Sequence, residues 1–100
     1  MKVAFFIDWE NREVMTEEGA KKHLEETKAD TDNFNDYVGE WLEEEIDDFL
    51  RGKNMPRDFS TVFQLSQKYR DEILANLRKS YERSVENDFE TDWEKFEFEV

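Results

Sequence analysis

The sequence predicts a small α+β fold, in which an antiparallel sheet from an N-terminal hairpin and a C-terminal strand packs against three to four helices. Three observations favour this fold class. Bulky apolar residues fill 2–9, helical periodicity dominates 17–85, and a period of two returns over 93–100. Strands at both ends with helices between them are typical of α+β proteins. Because the chain has 100 residues, we expect a single domain, 1–100.

The first part of the chain predicts a β-hairpin over roughly 3–15. Phe5 and Ile7 lie on one face of the first strand, and Phe6 lies on the other. Since both faces are apolar as far as Ile7, we expect the strand to be covered on both sides. Residues 10–12 have turn character, which allows a short second strand to follow them.

Two helices are predicted after the hairpin. Thr16 can cap the first, which reaches about Lys28. The second helix has the clearest periodicity in the chain, with Thr31 or Asp32 at its start and Gly52 at its end. Its apolar positions recur at helical spacing, at Phe34, Tyr37, Val38, Trp41, Leu42, Ile46, Phe49 and Leu50.

We expect this apolar stripe to form the core of the protein by packing on the sheet. The sheet face concerned is the one that carries Phe5 and Ile7. The residues of the second helix that we expect to be buried there are Trp41, Leu42, Ile46 and Phe49.

The rest of the chain predicts more helix and a terminal strand. Residues 59–85 have helical character with a break, after which Ser66 can cap a longer helix through about Ser84. Phe96 and Phe98 alternate with charged residues, so 93–100 is predicted to be a strand that pairs with the N-terminal strand.

The composition excludes several classes of function. The chain has 27 acidic and 14 basic side chains, a net charge of −13, which argues against direct binding to nucleic acid or to an anionic membrane. Its 15 aromatic residues argue for a folded core rather than disorder. The apolar run Val3–Ile7 is too short to span a membrane, and cysteine is absent, so we expect a cytoplasmic protein.

The second helix carries the most unusual charge pattern. Residues 30–50 hold nine acidic side chains and no basic one. Like charges four residues apart destabilise a helix by about 0.2–0.5 kcal/mol per pair, so such a run is unfavourable for the helix itself. The helical rise separates successive carboxylates by roughly 6 Å, of the same order as phosphates along a nucleic-acid strand. The candidate partner-binding residues are Asp36, Glu40, Glu43, Glu44, Asp47 and Asp48; the alternative is a face that only confers solubility.

The sequence shows no constellation for catalysis. His23 is the only histidine, and neither a nucleophile nor a glycine-rich phosphate loop accompanies it, so we expect no catalytic residue, metal site or cofactor. The acids of 86–99 either extend the anionic surface or protect an edge strand from aggregation.

Residues 3–11, with the sequence VAFFIDWEN, resemble the first strand of NYN-type, PIN-like ribonucleases. The resemblance implies that Asp8 would hold Mg²⁺ and that Asn11 would assist it. That family also uses later acidic positions on alternating βα units, which the helical middle of this chain does not supply. We therefore favour the hairpin interpretation, in which Asp8 and Asn11 are polar residues near a turn.

The size, the missing cysteines, the acidic helix and the acidic tail together resemble small phage and mobile-element proteins of the DNA-mimic type, the anti-CRISPR and antirestriction inhibitors. The resemblance implies a non-enzymatic protein that blocks the basic nucleic-acid-binding groove of a host defence nuclease, such as a CRISPR or restriction nuclease, in the host cytoplasm. A structural or assembly interaction module, including a homodimer, is the alternative.

Overall fold

The computed structural model describes residues 1–100, apart from the side chain of Ser66. It contains four helices and a three-stranded antiparallel sheet, which confirms the predicted α+β fold. Among the described residues, each helix is too short or too polar to cross a membrane. The elements are β1 (Lys2–Asp8), β2 (Glu13–Thr16), α1 (Glu17–Ala29), α2 (Thr31–Gly52), α3 (Phe59–Lys68), α4 (Arg70–Asp92) and β3 (Glu94–Glu99).

The chain forms two compact units. The sheet unit consists of 1–30 and 82–100, and the helical unit consists of 31–81. Helix α4 contributes its first part to the helical unit and its last part to the sheet unit. The prediction that both fold as one domain stays a prediction.

In the sheet unit the strand order is β2-β1-β3, as the hairpin and terminal-strand predictions required. In the register of the three strands, Phe5 lies opposite Thr16 on one side and opposite Phe96 on the other. The Phe6 ring packs edge-on against Phe89 of α4, with ring centroids 5.2 Å apart. Helix α1 begins where predicted, because the Thr16 side chain accepts a hydrogen bond of 3.0 Å from the Gly19 backbone.

In the helical unit, α2 packs on α3 and α4. Its buried residues, Phe49 and Leu50, form one cluster with residues of the other two helices, namely Leu65, Ile73 and Leu77. The buried residues of α2 therefore pack on α3 and α4, whereas the sequence analysis assigned them to the sheet. Ile46 packs at the margin of this cluster, but Trp41 and Leu42 are exposed, at 41% and 37%. The stripe is wider than the surface that two neighbouring helices cover.

The helices after residue 58 differ from the prediction in their ends. The break falls at Tyr69, so the helix does not restart after Ser66, whose side chain lies outside the described part of the chain. The side chain of Asp58 caps α3 by accepting a 2.8 Å hydrogen bond from the Thr61 backbone, which lowers the pKa of Asp58. Helix α4 continues to Asp92, beyond the predicted end at about Ser84. Its last turns are stabilised by Phe89, which is buried in the sheet unit and packs against Phe6.

Candidate functional site

The acidic face of α2 is the candidate partner-binding site. Five of its six carboxylates are exposed and Asp47 is partly buried. Since an α-helix rises about 1.5 Å per residue, the face extends roughly 18 Å along the helix. The acidic face is defined by the six residues singled out above, Asp36, Glu40, Glu43, Glu44, Asp47 and Asp48.

Arg57 neutralises part of this face. Its Nη2 donates a 3.0 Å hydrogen bond to Glu43, and its Nε lies 2.8 Å from Asp47 Oδ1. The second contact has the distance of an ion pair without the angle of a hydrogen bond. The chain turns back toward α2 because the Met55 backbone donates to the Leu50 carbonyl at 2.9 Å. Two of the six carboxylates therefore already have a cationic partner within the helical unit.

The remaining charge lies mainly in the first half of α2. Arg51 Nη2 is 2.5 Å from Asp48 Oδ1, an exposed pair of the kind that contributes about 0.3–0.5 kcal/mol. Among the described side chains, no ion pair reaches Asp36, Glu40 or Glu44. These three residues, the uncompensated acids, follow one another at four-residue intervals. They form the part of the acidic face that is open to a cationic partner.

Trp41 borders the uncompensated acids. It lies three residues before Glu44, so the two side chains are neighbours on the helix surface. The indole is 41% exposed, and its ring centroid lies 6.1 Å from that of Tyr37. The sequence analysis placed Trp41 in the core. Trp41 lies at the edge of the apolar stripe of α2, and the stripe is too wide to be buried completely, which is the signal that could have shown its exposure. An exposed tryptophan beside carboxylates is typical of anchor residues in protein interfaces.

Some of the C-terminal acids have cationic partners too. Lys28 contacts Glu86, Lys95 lies 2.8 Å from Glu97, and the N-terminal amine lies 3.3 Å from Glu99. The Lys95 contact lowers the pKa of Glu97. Three of the seven acids of 86–99 are therefore compensated within the sheet unit.

An acidic cleft of about 460 Å³ in the sheet unit lies beside the β1–β2 turn and is lined by three further C-terminal acids, Glu90, Asp92 and Glu94. Its tryptophans interact with neighbouring groups: Trp9 Nε1 donates a 2.7 Å hydrogen bond to Glu94, and Trp93 stacks on buried Phe89. Among the described residues that line the cleft, no buried polar side-chain atom lacks a hydrogen-bond partner, so nothing there indicates a bound ligand. Its lining is Asp8, Trp9, Glu10, Glu90, Thr91, Asp92, Trp93 and Glu94.

Asp8 and Asn11, the residues behind the nuclease resemblance, stabilise the turn between β1 and β2. Asp8 is buried, at 7% exposure. Its Oδ1 accepts hydrogen bonds from the backbone of Glu10 (3.1 Å) and Asn11 (3.2 Å). Its Oδ2 accepts one of 2.9 Å from the Asn11 side chain. The carboxylate of Asp8 thus stabilises the hairpin turn. The antiparallel sheet also lacks the βα alternation of that nuclease family.

We expect the turn carboxylate to make part of the stability depend on pH. The side-chain hydrogen bond from Asn11, followed by the backbone bonds of Asn11 and Glu10, lowers the pKa of Asp8 below its usual value of 3.8. Its contribution is therefore present above about pH 4 and is lost as the pH falls through the lowered pKa. In Asn11→Ala, urea unfolding between pH 2 and 5 should show a smaller acid-induced loss than in the wild type. Asn35→Ala, at an exposed position of α2, is the matched control. If the free energy of unfolding depends on pH equally in all three proteins, the assignment to Asp8 is contradicted.

The remaining titratable groups do not suggest a catalytic or metal centre. His23 is exposed, with its ring centroid 6.1 Å from that of Phe89. Among the described side chains, no three His, Cys, Asp or Glu residues are arranged to hold a metal ion. Comparison of the chain with protein-family models, curated proteins and solved structures finds no match.

Proposed function

We propose that the protein is a non-enzymatic DNA mimic, which binds the basic nucleic-acid-binding groove of another protein through the acidic face of α2. The observation that carries the proposal is the row of uncompensated acids, Asp36, Glu40 and Glu44, which are exposed on one helix face and have no ion pair within the described part of the chain. A helix face that needed only solubility would gain from Lys or Arg at i,i+4, and none of the three uncompensated acids has a basic residue at that spacing. The like-charge repulsion is relieved when lysines and arginines of a partner approach.

The energetics of such a complex follow from desolvation. Carboxylates that pair with Lys or Arg form charge-assisted hydrogen bonds, which are about twice as strong as neutral ones. Charge complementarity also steers the encounter and selects a basic groove over other surfaces. The exposed Trp41 ring supplies the apolar contact beside the charges.

The class of partner follows from the same chemistry. A groove that binds a nucleic-acid strand presents rows of cationic side chains to phosphates, and a helix bearing carboxylates at regular intervals offers a similar row of anions. We therefore propose a CRISPR or restriction nuclease as the partner class and the cytoplasm of the host cell as the location. No cofactor takes part in this function.

A displacement assay tests the proposal. Fluorescently labelled duplex DNA is bound to purified restriction and CRISPR nucleases in turn, and its anisotropy is followed as the protein is added. We expect the protein to release the DNA from at least one nuclease and to leave the DNA and RNA uncleaved in Mg²⁺. Cleavage that is lost in Asp8→Asn would instead support the nuclease alternative, and no release from any basic partner would contradict the proposal.

Arg57 provides a sharper variant, because it competes with the partner for Glu43 and Asp47. Arg57→Gln frees both carboxylates for the partner. We therefore expect the apparent affinity in the displacement assay to rise by about 3–10-fold, which spans the contribution of one exposed charge pair and that of one partly desolvated pair. Arg83→Gln is the matched control, since it makes the same change in net charge at an exposed position of α4. Equal gains in both variants would show that net charge, and not the acidic face, determines binding.

A structural or assembly module is the second candidate, and two observations favour it. The helical unit exposes Phe59 (86%) and Phe63 on α3, with ring centroids 6.4 Å apart. The same unit has an apolar cleft of about 390 Å³, lined by residues such as Val38, Leu42 and Leu74. Assembly through these apolar groups would persist at high salt, whereas binding through the acidic face weakens.

A further inference from the structure

The sheet unit presents one apolar face that its own helices leave open. On the other side of the sheet, Phe6 packs against Phe89 of α4, and Met15 approaches Gly19 of α1. Antiparallel sheets that are covered on one side normally carry polar residues on the other. Here the second side carries Val3, Phe5, Ile7, Val14, Phe96 and Phe98, and we name these six residues the outer sheet face.

The outer sheet face is organised around aromatic rings. The Phe5 ring stacks on Phe96 at 5.5 Å and contacts Phe98 at 5.3 Å, while the Trp9 ring meets the edge of Phe96 at 6.4 Å. Phe98 remains 50% exposed, Trp9 65% and Val14 70%. The rings are therefore held in place by one another while a large part of their surface is in contact with solvent.

The charges around this face decide what can cover it. Glu94 lies on this face opposite Ile7, and its carboxylate accepts a 2.7 Å hydrogen bond from the Trp9 indole. A second copy of the chain can thus cover the face without burying an unpaired carboxylate. A basic groove, the partner of the acidic face, would instead bury lysines and arginines against phenylalanine and valine, which is unfavourable without countercharges.

The area is sufficient for two copies. From the exposed fractions and side-chain areas of about 150–250 Å², the outer sheet face with Trp9 offers roughly 500 Å² per copy. Two copies would cover about 1,000 Å², which is the lower limit for a biological interface and is typical of weak, reversible association. Two such sheets can pack face to face as a sandwich, and a twofold axis makes one patch complementary to itself.

We propose that the outer sheet face is a homodimer interface, in which two copies pack their sheets together through the phenylalanines of β1 and β3. Because each copy carries a net charge of −13, the dimer is opposed by electrostatic repulsion. Added salt screens this repulsion, so self-association tightens as salt rises. Binding to a basic partner has the opposite salt dependence, so the two interactions can be measured separately.

Sedimentation equilibrium of the full chain tests the interface over micromolar concentrations at low and high salt. We expect a monomer–dimer equilibrium for the wild type whose dissociation constant falls with salt. Phe98→Glu should weaken the dimer by at least about 30-fold, because it places a charge in a desolvated aromatic contact. Val14→Glu, at a more exposed site on the edge strand β2, should do the same and covers the case in which Phe98→Glu fails to fold. Circular dichroism checks the fold of each variant.

Phe59→Glu is the matched control, because it makes the same change at an exposed phenylalanine of the helical unit. It should dimerise like the wild type at high salt, where the change in net charge is screened. The triple variant Asp36→Asn, Glu40→Gln and Glu44→Gln should also dimerise like the wild type at high salt, so a loss of DNA displacement in that variant would bear only on the proposed function. A wild type that stays monomeric, or dimers that Phe98→Glu and Val14→Glu leave intact, would overturn the proposal. Dissociation by Phe59→Glu alone would assign the contact to α3 and would also overturn it.

Discussion

Removing the three uncompensated acids together, as Asp36→Asn, Glu40→Gln and Glu44→Gln, is expected to weaken the displacement of DNA from the basic partner by roughly 100-fold. A desolvated charge pair is worth 2 kcal/mol or more, and contributions from neighbouring pairs are not additive, so we expect about 3 kcal/mol for the set. The fold should persist and gain a few tenths of a kcal/mol, because two i,i+4 repulsions disappear. The anisotropy assay measures the loss, and urea unfolding measures the stability.

A control with the same change in net charge makes this result specific. Glu13→Gln, Glu25→Gln and Asp88→Asn together also remove three charges, changing −13 to −10, at exposed positions with no ion pair in the described structure. Since these sites lie outside the acidic face, we expect the apparent affinity to fall by less than about 3-fold, because only their long-range attraction to the partner is removed. Equal losses in both variants would mean that total charge, rather than the helix face, drives binding.

Leu77→Ala is expected to destabilise the protein by about 3–5 kcal/mol, the usual effect of deleting a fully buried leucine. Leu77 is 1% exposed and belongs to the cluster that joins α2, α3 and α4. Small domains are stable by only about 5–15 kcal/mol, so this change removes a large part of the total. Equilibrium unfolding in urea checks the value.

Trp41→Ala is the informative comparison, because a buried tryptophan would cause a loss of similar size. The exposed indole should give a loss below about 1.5 kcal/mol, mostly from its contact with Tyr37. Partner binding should weaken in the same variant. If Trp41→Ala is as destabilising as Leu77→Ala, Trp41 belongs to the core and cannot serve as an anchor.

The elements with a local signal in the sequence were predicted well. Thr16 caps α1, α2 runs from Thr31 to Gly52, and Phe96 and Phe98 mark a terminal strand beside β1. Each of these features depends on capping chemistry or on the period of side chains along one element, which a sequence contains directly.

The tertiary partners of those elements were harder to predict. Periodicity identified the apolar stripe of α2 but not its neighbour, so Phe49 was assigned to the sheet although it packs with Leu65 and Leu77. For the candidate site, the sequence predicted which carboxylates share a face. It could not show that Arg57, ten residues beyond Asp47, returns to pair with it, because that contact depends on the path of the loop.

The salt dependence of DNA displacement, compared between the wild type and the variant without the uncompensated acids, tests the central claim most directly. If α2 binds a basic groove, the apparent affinity of the wild type falls steeply as NaCl rises from low to physiological concentration, because ion pairs are screened. The variant, with three fewer charges at the interface, should show a weaker affinity and a shallower dependence on salt. Identical slopes and affinities for the two proteins would contradict the assignment of the acidic face as the binding surface.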